Sequence, residues 1–307
     1  MIIAGLVAAF AAPAAARGPT KKQKKVNVYV EIINKWSSYV SKTRTNYSKW
    51  VDMKKGPTCK ERGIRGPGGI GDSAKATFAG YKKALKKGPK LAADAGARKM
   101  VAALIKMHAP INEASKYYHK HKYKDDDCKR GKELHIVLVA LFAEFAEGDR
   151  VVRSFVTEYN DQRALKDLAK TKKKYGKRFR YYHEKIIVDG KALVRIVDSQ
   201  MQQEQPDLAE IKTSLAGFSA SLDAVERQLK KAKKKAANVL YQGGYKQFVK
   251  NGTWFKEAIV DLLRVVEKPD KRRQSKNAVS RSLKQVFNAY NNMVDASNKV
   301  MLSKKIK

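Results

Sequence analysis

The stretch LAEIKTSLAGFSASLDAVERQL, residues 208–229, decides the fold. Leu208, Ile211, Leu215, Phe218, Leu222, Val225 and Leu229 recur in it at alternating steps of three and four. An α-helix advances 3.6 residues per turn, so this spacing lines one helical face, whereas a strand would scatter the same residues over both of its faces. The face is an a/d seam about three heptads long, and it needs a partner helix to cover it.

Working outward, the same period recurs almost everywhere. Val26, Tyr29, Ile33, Trp36, Val40, Tyr47 and Trp50 predict a first helix over roughly 24–53, ended by the breaker GPTCKERGIRGPGGIG at 56–71. Asp72 or Ser73 is expected to cap a short helix to about Lys87. After Gly88-Pro89 a third helix runs to about 118–121, with a kink expected at Pro110. Leu134, Leu138, Leu141, Phe145, Val152, Phe155 and Tyr159 mark a fourth helix, and Phe179, Tyr182, Ile186, Leu193 and Val197 the next. Gly243-Gly244 and Asn251-Gly252 are expected to interrupt the chain beyond the 208–229 seam, before a last helix carrying Leu283, Phe287, Tyr290, Val294 and Met301. The expectation is an all-α protein, an elongated antiparallel bundle of about seven or eight helices. Pro206, preceded by the polar run QMQQEQ, is the expected boundary between sub-bundles 26–203 and 204–303.

The composition agrees and removes other classes. In 307 residues, 43% are hydrophobic and 9% aromatic, too many for a chain disordered throughout. A mean hydropathy of −0.55 excludes a multi-span membrane protein. Two Cys exclude a disulfide-knit miniprotein.

Residues 2–16, IIAGLVAAFAAPAAA, carry no charge and end in small residues before Arg17, the pattern of a cleavable secretory signal. Export is expected, with 1–16 as signal peptide, 17–25 as a basic flexible segment and 26–303 as the helical domain. No Cys precedes Cys59, so no acyl anchor is expected. An oxidising compartment lets a disulfide persist. Antiparallel helices with short connections put the 56–71 loop, with Cys59, and the 123–131 loop, with Cys128, at one end of the bundle. A Cys59–Cys128 bond is therefore expected, with two unrelated thiols as the alternative. It would close a loop worth ~4 kcal/mol in chain entropy.

The densest set of reactive side chains is YYHKHKYKDDDCKRGKELH, residues 117–135. His119 and His121 with Asp125, Asp127 or His135 are ligand types for Zn or Cu. The two His lie on different helical faces, however, and the surrounding Lys and Arg oppose a cation. The reading preferred is that the Asp run caps the fourth helix. GIRGPGGIGD lacks the Gly-Lys-Ser/Thr of a phosphate loop and reads as a flexible connection. Glu144, Glu147 and Asp149 read as a solvated face. With no nucleophile elbow and no HExxH, neither an enzyme nor a cofactor is expected.

What remains is charge. Lys and Arg number 66 against 29 Asp and Glu, a net +37, with Lys runs at 21–25, 82–87, 170–174, 230–235 and 304–307. Such a surface attracts polyanions. For an exported protein these are anionic polymers of the cell envelope or the membrane surface; sequence-non-specific nucleic-acid binding is the alternative.

Tyr117-Tyr118, Tyr123-Lys124-Asp125-Asp126 and Gly131-Lys132-Glu133-Leu134-His135 resemble the central motif of the YiiG-like bacterial lipoproteins, a family built on a domain of unknown function. VNVYVEIINKW at 26–36, Trp50-Val51-Asp52 with Gly56-Pro57-Thr58, and FNAYNNMVDASNKV at 287–300 are similar to it too. The resemblance implies an exported, helical, envelope-associated protein and carries over no catalytic residues. The family's lipobox cysteine has no counterpart here.

Overall fold

A computed structural model describes residues 18–231, 244–267 and 276–302. The expected signal segment 1–16, the Gly243 position and the end of the 230–235 Lys run lie outside the described residues, as does the 304–307 run. The described chain is all-α: α1 (Lys21–Ile32), α2 (Ser38–Ser48), α3 (Ala74–Leu85), α4 (Asp94–His119), α5 (Lys129–Tyr175), α6 (Phe179–Gln200), α7 (Leu208–Lys231), α8 (Tyr245–Glu267) and α9 (Lys276–Leu302). Among the described residues no helix is long and apolar enough to cross a membrane. The chain divides into two compact units, one ending at Asn160 and the other beginning at Asp161, a division that falls within α5.

In the first unit, pairs across helices fix the directions. Tyr81 donates to Glu31, and Phe78 packs on Trp36, so α3 runs against α1. Lys106–Glu144 and Arg130–Glu113 run α5 against α4. Between α1 and α2 a π turn, Ile33–Ser37, adds one residue to the stripe, so Ile32 and Ile33, and then Trp36 and Ser37, are all buried. Ser37 donates to Asp149 on α5, and Asp149 also accepts from Arg153 at 2.7 Å. Lys99 of α4 pairs with Glu147, so Glu144, Glu147 and Asp149 are cross-helix partners rather than a merely solvated face. α4 and α5 cross glycine on glycine: a Cβ on Gly148 would stand 2.6 Å from the Gly96 carbonyl oxygen.

Several local expectations are corrected. Of the segment 17–25, expected to be flexible, Lys21 to Lys25 open α1: Thr20 and Gln23 form a capping box and Lys25 is buried. The first helix is done by Ser48, where Asp52 Oδ1 gathers the N–H groups of Lys54 and Lys55 into a turn. Neither Asp72 nor Ser73 caps α3 with its side chain; Ser73 makes no such bond and Asp72 pairs with Lys75. The third helix does run to the expected end, with Pro110 inside it.

The second unit is an up-down-up-down set. Ser221–Asp189 and Gln228–Lys177 set α7 against α6, and Asn251–Asn292 sets α9 against α8. His183, stacked on Phe248, meets Ser297 at 2.7 Å, so α9 runs against α6. The expected break at Asn251-Gly252 is instead the middle of α8, where a Cβ on Gly252 would meet Leu222 at 2.7 Å. Nor is Pro206 a boundary between units. Gln200 donates to Glu210 and accepts from Asp207 N at 2.7 Å, which stitches α6 and α7 into one hairpin.

Candidate functional site

The motif residues gather at one end of the first unit. Cys59 and Cys128 are joined by a disulfide, Cα–Cα 5.7 Å, and both adopt positive φ, 59° and 65°. Left-handed backbone is costly for any residue with a Cβ, so the loops are held in this form by what surrounds them. Tyr117 donates to Asp126 at 2.6 Å, and the second Asp126 oxygen accepts from Arg130 N at 3.0 Å. Of the three aspartates, Asp126 is thus the one that caps α5; Asp125 and Asp127 are exposed, as are Lys124 and Lys132. Tyr118 lies over Gly131, where a Cβ would come within 2.9 Å of its hydroxyl and 3.1 Å of Cys128 Sγ. Only glycine fits there.

Behind the disulfide stands an aromatic cluster. Tyr47 and Trp50, from the end of α2 and the turn after it, pack edge-on to each other, and Trp50 packs edge-on to Tyr118. Tyr47 and His135 Nδ1 share a hydrogen bond of 3.2 Å. Burial holds the His135 imidazole below its ordinary range, against the opposing pull of the Met53 backbone and the Asp52 charge. Burial, with the Glu61 carboxylate adding to it, pushes Tyr47 up to about 12. Both shifts favour the neutral forms, and the hydrogen bond fixes the two rings against each other. Glu61 itself is held low: burial would raise it, but the N–H groups of the Thr58 turn outweigh that.

The glycine-rich loop completes the end, and it is not a loose connection. Asn112 on α4 accepts from Ile70 N at 2.7 Å and donates to Ile70 O at 2.8 Å. Tyr39 donates to Gly68 O, and Trp50 Nε1 to Arg65 O. Gly66 is pressed on the Ser115 backbone, where a Cβ would sit 2.8 Å from a carbonyl oxygen. Gly66 and Gly69 serve close approach, a Cβ on Gly69 falling 2.7 Å from Asn112 Oδ1.

The imidazoles weighed as ligands are separated. His119 and His121 are exposed, His121 bonded to Tyr123 at 3.0 Å, while His135 is buried on Tyr47. Among the described residues no three His, Cys, Asp or Glu are grouped to hold a metal ion. Sequence reasoning placed Tyr47 and Trp50 only as core positions and did not find Glu61 or Asn112. The Tyr47/Trp50 step of three beside a Gly-rich loop was the available signal.

Fold and site together define an all-α protein in which a disulfide and a tyrosine cluster tie two loops at one end of the first unit. The chain belongs to the family described as "Protein of unknown function (DUF3829)", whose model matches residues 20–299. It is 26% identical over 281 residues, 90% of this chain and 78% of the relative, to the uncharacterized protein YiiG of Escherichia coli (strain K12). No solved structure matches the chain significantly.

Proposed function

We propose that the protein is an exported, non-enzymatic member of this family that contacts anionic polymers of the cell envelope or membrane surface. The observation that carries the reading is the evenness of its charge: 32 Lys and Arg against 14 Asp and Glu up to Asn160, and 34 against 15 from Asp161 onward. A basic tail would concentrate the excess; here each unit attracts polyanions by itself. The uncharged segment 2–16 supplies the address, and a disulfide between Cys59 and Cys128 suits an oxidising compartment. The motif cluster serves as the clamp that keeps the loops of the first unit in one shape.

Fractionation of the producing organism, with intact mass before and after reduction, tests it. Expected is protein starting at Arg17 in periplasm or medium, lighter by two hydrogens than its reduced form. Full-length cytoplasmic protein with free thiols would overturn the address and make nucleic acid the leading partner.

A further inference from the structure

We infer that the elbow between α5 and α6 is a membrane-surface contact, a braced cationic tip that fits the phosphate headgroups of an anionic lipid surface. This names the partner for the proposed envelope contact and rests on that reading.

The elbow reads KTKKKYGKRFR, residues 170–180: seven cations in eleven residues and no carboxylate. Gly176, at φ +68°, reverses the chain between the two helices. Lys172, Lys173, Lys174, Lys177 and Arg178 are all exposed, and among the described residues no carboxylate lies within 4.0 Å of any of them. Nearby on α6 the cations Lys185 and Lys191 are paired, with Asp189 and Asp161.

The elbow is also held in shape. Gln228 Nε2 donates to Lys177 O at 2.7 Å, the Tyr245 hydroxyl to Phe179 O at 3.5 Å, and the Arg180 guanidinium lies 5.2 Å from the Tyr175 ring centre. The Gln228 bond brings exposed Arg227 and Lys230 of α7 to the same end, and Tyr245 brings Lys246. A preformed tip binds without the cost of ordering a loop.

Its geometry selects the partner. Consecutive residues leave a helix about 100° apart, so Lys172, Lys173 and Lys174 diverge and form no cradle for a single ion. Divergent ammonium groups on an exposed turn suit a surface that carries many anions. The Tyr175 ring already carries Arg180 and Phe179 packs edge-on against Tyr245, so base stacking of the kind single-stranded nucleic acid uses would compete with these contacts.

The test is co-sedimentation of the full chain with phosphatidylcholine vesicles, with and without phosphatidylglycerol. Beside the wild type stand K172Q/K173Q/K174Q and an equal-charge control at the C-terminal end of α3, K82Q/K83Q/K86Q, each checked for native helicity. Expected is binding that requires phosphatidylglycerol, weakened about tenfold or more in the elbow variant and less than about twofold in the control. Equal losses in both variants would overturn the elbow while leaving the general cationic contact standing. Wild type that binds dextran sulfate or duplex DNA but not the vesicles would overturn the lipid assignment. Wild type that binds none of them would overturn the elbow and the anionic-partner reading together.

Discussion

Lys25 and Asp94, 69 positions apart in the chain, meet at 2.8 Å with side chains 4% and 10% exposed. Lys25 also donates to Pro89 O at 2.9 Å, Tyr29 donates to the other Asp94 oxygen, and Leu91 N closes the shell at 3.2 Å. The start of α1 is thereby tied to the start of α4 and to the Gly88-Pro89 turn. A buried ion pair contributes little net stability, but one deprived of its partner is expensive.

Asp94→Asn should therefore cost about 3–5 kcal/mol in urea unfolding, more than a double replacement by Met and Leu at positions 25 and 94. Burial alone would raise the Asp94 carboxyl; the bonds from Lys25, Tyr29 and Leu91 outweigh it and hold it below the ordinary range. A depressed folded-state value means that its stability is present above the unfolded value and is lost as pH falls through the folded one. Acid titration of the wild type should show that loss, and the Asn variant should lack it.

His183 gives the second unit a different dependence on pH. Burial, with Arg180 adding to it, lowers this imidazole to about 4. The unfolded chain then binds the extra proton between about 6.5 and that value, so stability should fall with acid across this window, at up to about 1.4 kcal/mol per pH unit. His183→Phe should flatten the slope, read as urea midpoints from pH 7 to pH 4.

Glycines separate by what surrounds them. Gly148→Ala drives a methyl into the Gly96 carbonyl, which is backbone and does not yield, and should cost about 1–3 kcal/mol. Gly80→Ala, in α3 with nothing within 4 Å, should stabilise by about 0.5–1 kcal/mol. Thermal melts of the two variants should move in opposite directions.

Removing the disulfide with Cys59→Ser and Cys128→Ser should cost about 2–4 kcal/mol, by freeing a 69-residue separation in the unfolded chain. Asn112→Ala should leave the disulfide intact yet expose the 65–71 loop to limited proteolysis. Cleavage there in the Asn112 variant, and not in the wild type, is the expected pattern.

The candidate site was legible only in part. Two cysteines in loops predicted at the same end of an antiparallel bundle were enough to pair them, because direction follows from helix count. The docking of the glycine loop was not legible, since GIRGPGGIGD carries no trace of Asn112, 42 positions from Ile70. The aspartate run predicted a cap, but not that Asp126 alone would make it.

The sequence by itself determined the all-α class, most of the helices and the cationic surface, because period and composition are local properties of the chain. It determined the family resemblance as well. Only the tertiary structure decided that Lys25 is core and that Asn251-Gly252 is helix. It also decided that the units part within α5 and not at Pro206. Each of these depends on a partner outside the local helical period: Asp94, 69 positions on, for the lysine, Leu222 for the glycine, and Glu210 across the turn for the Gln200 that closes the hairpin at Pro206. Contacts of that kind overrule local propensity wherever burying an ion pair or a close backbone crossing outweighs it.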